Sequence, residues 1–92
     1  YLILSDGSKI GSAALSLIFK DIDLVNSQIV HIKKTNTINF NIVVGGTYKN
    51  NNNLKKRIRE KLGDDMNIEI NIITNDEIIY TTSGKYNLVI TK

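Results

Sequence analysis

The sequence predicts an α+β fold: a small three-stranded sheet covered on one face by two helices and preceded by an N-terminal β-hairpin. Three observations carry this. Ile38, Phe40, Ile42 and Val44 alternate with Asn39, Asn41 and Val43, and Ile68, Ile70 and Ile72 repeat the pattern, which is the period of strands with one buried face. Leu54, Ile58 and Leu62 stand four apart, the spacing of an amphipathic helix. Asp6-Gly7 sits between two short apolar pieces, a hairpin signal.

The elements follow in order. Tyr1-Leu2-Ile3-Leu4 is an apolar run, Ser5-Asp6-Gly7-Ser8 a turn cluster, and Lys9-Ile10 a returning strand. Ser12 reads as the N-cap of a helix over 13–20, with Ala14, Leu15, Ile18, Phe19 and Ile22 on its apolar face. Strands over 27–33 and 38–44 are joined by the turn Lys34-Thr35-Asn36-Thr37, and Gly45-Gly46-Thr47 ends the second. After a polar loop over 49–52, Asn53 caps a second helix that runs to Leu62, and Gly63 stands where a C-cap glycine belongs. A strand over 67–73, a connection over 75–82 and a short strand over 86–90 complete the chain. Helices and strands in this order suit a sheet with helices on one face.

The chain has 92 residues, the length of one domain, 1–92, with a thin core. Its apolar fraction of 41% and charged fraction of 23% are ordinary for a globular domain. No apolar run approaches a membrane span, and no signal-peptide pattern opens the chain, so no membrane partner and a cytoplasmic location are expected. With no cysteine and a single histidine, His31, there is no disulfide and no metal site is expected. A net charge of +3 from ten lysines and two arginines against nine acids is well short of a dedicated nucleic-acid binder. The chain opens on an apolar segment without an initiator methionine and reads as a fragment of a longer protein.

Ser83-Gly84-Lys85 is the most pointed local feature. A lysine after a Ser-Gly bend is a compact cation held at a turn, suited to phosphate or carboxylate oxygens. Alone it is weak, because Ile79 stands where a phosphate-binding Walker loop needs glycine, and a solvated turn lysine is the plainer reading. Lys55, Lys56, Arg57, Arg59 and Lys61 make the second helix basic, which reads first as a solvated face. Paired exposed aromatics of an RNA-reading sheet are absent, since Phe40 falls in the buried stripe. Asp64-Asp65 read as a loop, His31 has no evident catalytic partner, and Tyr80 and Tyr86 read as packing the C-terminal segment down.

Taken together, Tyr1-Leu2-Ile3-Leu4-Ser5-Asp6-Gly7-Ser8-Lys9-Ile10 and Thr81-Thr82-Ser83-Gly84-Lys85 resemble two motifs of the small C-terminal domain of adenylate-forming enzymes. The likeness is nearest to the phenylacetate–CoA ligase-like group and its capsular-polysaccharide-biosynthesis members, and it covers essentially the whole chain. It implies that Lys85, supported by Ser83 and Gly84, is the catalytic lysine. In the family this lysine enters the active site of a large N-terminal adenylation domain and meets the carboxylate and ATP oxygens. It further implies that Asp6 and Gly7 belong to a hairpin lining a thiol tunnel, reached by rotation of the domain. ATP with magnesium, and CoA as a further cofactor, are implied for the whole enzyme, with a carboxylic acid as substrate and none of these for the domain alone. The chain departs from the family pattern at Ser12, where a proline is usual, and at Ile79, Tyr80 and Asn87, where proline and arginine are usual. The rival expectations are a free-standing ferredoxin-like binding module that meets nucleic acid or protein through its basic helix, and a structural oligomerisation domain.

Overall fold

In the computed structural model, which describes residues 2–4, 7–48 and 53–92, two long strands form the centre of a four-stranded sheet. These are β3 (Leu24–Ile32) and β4 (Thr37–Val44), paired antiparallel with Ile29 opposite Phe40 and His31 opposite Ile38. The turn between them is a short 3₁₀ helix, Lys33–Thr35, closed by Asn36 at φ 51°. Asparagine tolerates that left-handed conformation better than most residues. Outside β4 lies β5 (Asn67–Ile72), parallel to it, and outside β3 lies β6 (Val89–Thr91), parallel to β3. A parallel neighbour needs a crossover connection. For β4 and β5 this is supplied by α2 (Asn53–Leu62).

The N-terminal hairpin is β1 (Leu2–Ile3) against β2 (Lys9–Ile10), followed by α1 (Ser12–Ser16) and a 3₁₀ turn, Leu17–Phe19. The core lies between the sheet and these helices. Ile29, Ile38, Phe40, Ile42 and Ile68 meet Leu15 and Ile18 from the first helical segment, Leu54, Ile58 and Leu62 from α2, and Leu2 from the hairpin. Phe40 is fully buried, with the Phe19 ring 6.3 Å away. At the far end of β4, Asp23 accepts from the backbone and hydroxyl of Thr47 at 2.9 and 2.6 Å, which fixes the Gly45-Gly46-Thr47 turn. A side chain at Gly45 would collide with that carboxylate at 2.3 Å.

The expected α+β class, hairpin and two helices on one face are all present. Several details differ. The sheet has four strands rather than three, because the final short strand, at 89–91 instead of 86–90, pairs with Ile29, Val30 and His31 far back in the chain. The first helix is shorter than 13–20: Ser12 is its first helical residue, Gly11 precedes it, and the winding tightens to 3₁₀ at Leu17. The Ser16 hydroxyl bonds back to the Ser12 carbonyl at 2.9 Å, a local bond that competes with continued α-helix. Asn53 likewise lies within α2 rather than before it. Ile72 carries the strand alternation to the end of β5 but stays 58% exposed. Asp6 and the loop at 49–52 lie outside the described residues.

Candidate functional site

Lys85 stands on a tight turn between two antiparallel legs. Tyr80 and Tyr86 bridge across its base. The Thr81 amide donates to the Lys85 carbonyl at 2.9 Å, and the Gly84 amide to the Thr81 carbonyl at 2.8 Å. The Lys85 amide in turn donates to the Thr81 hydroxyl at 3.0 Å, while that hydroxyl and Ser83 Oγ lie 3.0 Å apart. Gly84 takes φ +80°, a conformation for which glycine alone has no Cβ penalty. Four of the five turn residues therefore spend backbone or hydroxyl groups on one another, and the Lys85 side chain stays exposed.

The turn is anchored from below. Successive residues of a strand face opposite ways. Ile29 faces the helices, so Gln28 faces the other side of the sheet. There it is fully buried under the chain that crosses from β5 to β6. Gln28 Nε2 donates to the Ile79 carbonyl at 2.8 Å and to the Asn87 carbonyl at 2.9 Å, while its Oε1 accepts the Ile79 amide at 2.8 Å. Ile79 precedes one leg of the turn and Asn87 follows the other. Tyr86 adds a second tie, its hydroxyl donating to the Ser27 carbonyl, with its ring edge-on to Tyr80 at 6.5 Å. Burial pushes the Tyr86 phenol above its usual range, which keeps it protonated and donating. Val30, Val43 and Ile78 are also buried, outside the helix-side cluster.

A family model described as the CapK C-terminal domain matches residues 2–92. The chain belongs to the CapK C-terminal domain family. No similar curated protein and no similar solved structure was found. Family membership agrees with the capsular-biosynthesis side of the resemblance.

Within this CapK C-terminal domain the sequence-predicted site residues do not form one cluster. Ser83, Gly84 and Lys85 stand together on a turn whose legs are tied to Ser27 and Gln28 in the middle of β3. Gly7, at φ +86°, closes the β1–β2 hairpin by donating to the Leu4 carbonyl at 3.0 Å. Ile3 and Leu4 of that hairpin line a groove of about 210 Å³ with His31, Lys33, Asn36 and Met66. Burial, reinforced by the Lys33 charge, holds the His31 imidazole below its usual pKa. No cluster of three or more metal-ligating side chains occurs among the described residues, and no helix there is long and apolar enough to cross a membrane.

The basic helix is less free than its composition suggests. Arg57 donates to the Ile18 and Lys20 carbonyls, and Arg59 to the Met66 carbonyl at 2.9 Å, so both arginines fasten α2 to neighbouring backbone. Lys55, Lys56 and Lys61 remain its exposed cations. Sequence reasoning missed Gln28. The available signal was a glutamine in the run Gln28-Ile29-Val30-His31-Ile32, which is apolar on both faces. A strand buried on both sides leaves an amide there in need of partners.

Proposed function

We propose that this CapK C-terminal domain is the mobile lid of an ATP-dependent carboxylate-activating ligase, inactive alone and completed by a large N-terminal domain of the same chain. The observation that carries the reading is an exposed lysine on a turn tied at its base to the sheet. A cation held on a braced turn suits a site whose other contacts come from elsewhere. ATP supplies the adenylyl group: a carboxylate oxygen bonds to the α-phosphorus, the bond to the β-phosphate oxygen breaks, and pyrophosphate leaves. Lys85 places its ammonium where charge shifts in that step. The chain's own residues fit this share of the task, the cation of Lys85 presented outward, and magnesium and the nucleotide would be held mainly by the other domain.

The separation of Gly7, on the N-terminal hairpin, from Lys85, on the turn before β6, is in keeping with two working orientations. One presents the lysine turn for adenylate formation. The other presents the hairpin for transfer of the acyl group to a thiol such as CoA, a domain-rotation mechanism. In the full-length enzyme, Lys85→Ala is expected to abolish carboxylate-dependent ATP–pyrophosphate exchange and to spare thioester formation from supplied acyl-adenylate. Wild-type exchange in that variant removes the catalytic role.

A further inference from the structure

We infer that Gln28 is the positioning residue for Lys85, fixing both legs of the lysine turn to β3 so that the ammonium is presented from a rigid base. A two-stranded hairpin in water is marginal by itself. The bonds inside the turn set its shape but not its place on the sheet. Placement comes from below, where one fully buried side chain uses both amide hydrogens and its oxygen on Ile79 and Asn87. These contacts lie 51 and 59 positions along the chain from Gln28, so one amide joins the centre of the sheet to both sides of the turn. With Gln28 replaced by an apolar side chain, the Ile79 amide and two carbonyls lose their partners inside the protein, and water must enter or the legs must part. The Tyr86 tie to Ser27 and the Ile29 amide donating to the Leu88 carbonyl at 2.7 Å hold the second leg only, so they cannot replace the amide that also holds the first. The consequence for catalysis rests on the lid reading: a misplacement of about 1 Å at a reacting centre lowers a rate by roughly 100-fold.

Hydrogen exchange tests the mechanical claim on the intact protein, whatever acid it uses. In the wild type, the Gln28 side-chain amide protons are expected to exchange as slowly as the Ile79 backbone amide; exchange as fast as that of a solvated glutamine overturns the inference. In Gln28→Met, the amides of Ile79, Thr81, Gly84 and Lys85 are expected to exchange at least about 10-fold faster, with Phe40 and Ile42 unchanged. Unchanged turn amides, or a uniform rise across the sheet, overturn it. The catalytic consequence is read by ATP–pyrophosphate exchange with a panel of benzoate, phenylacetate and short-chain fatty acids. Gln28→Met should lower kcat by about 10- to 100-fold and leave the KM for ATP within about 2-fold. Wild-type kcat beside an inactive Lys85→Ala overturns the positioning role. Wild-type exchange in Lys85→Ala sinks the lid reading instead and leaves the anchoring result standing.

Discussion

Lys85 acquires its character from neighbours rather than from its own chemistry. Its backbone closes onto Thr81 in both directions, and Gly84 makes the bend possible at φ +80°. A Cβ at Gly84 would meet nothing within 4 Å, so substitution there strains the backbone without any collision. Gly84→Ala is accordingly expected to cost about 1–2 kcal/mol within the turn. The loss belongs to the turn, so amide exchange at Thr81 and Lys85 should rise while the melting temperature moves little. A large fall in melting temperature would mean that the turn helps to hold the whole fold. Gln28 acts in the opposite sense. Glycine gives the turn its shape, whereas the buried amide gives the turn its place.

Among the elements, α2 shows how local pattern and tertiary contact divide the work. Its apolar stripe Leu54, Ile58 and Leu62 is buried against the sheet, and the side facing away carries lysines. Ile58 is fully buried, so Ile58→Ala should lower stability by about 2–5 kcal/mol. That is a large share of the roughly 5–10 kcal/mol a domain this size holds, and urea unfolding would read it as a lower midpoint with an unchanged slope. The stripe, the alternation in β4 and β5, and Gly63 at φ +81° were all legible, because each is set by residues a few positions apart. The adjoining Ser83-Gly84-Lys85 turn was legible for the same reason. What the sequence hid is non-local. Val89 and Ile90 carry no sign that their partners are Ile29 and Val30, and Gln28 carries no sign of Ile79 and Asn87. The arginines of α2 looked like surface charge because nothing in their spacing reveals the carbonyls of Ile18, Lys20 and Met66.

For the whole molecule, the buried His31 makes stability depend on pH above the carboxylate range. His31 is buried, and its folded-state pKa lies below the ordinary 6.5. The unfolded chain therefore binds the proton more tightly. The contribution is fully present above pH 6.5 and is lost as pH falls through that value toward the lowered folded-state pKa. The melting temperature should drop as pH falls from about 7.5 to 5.5, and His31→Gln should flatten that slope; equal slopes would exclude His31 as its source. The sheet order carries a consequence of another kind. β6 follows the lysine turn in the chain yet docks on β3, and the Gln28–Asn87 bond joins residues 59 positions apart. During synthesis the β3–β4 hairpin and α2 can form from local contacts, whereas the turn can be seated only once the strand beyond it has been made. A nascent or truncated chain thus holds most of its core before its lysine turn is in place, and the geometry around Lys85 arrives late in folding.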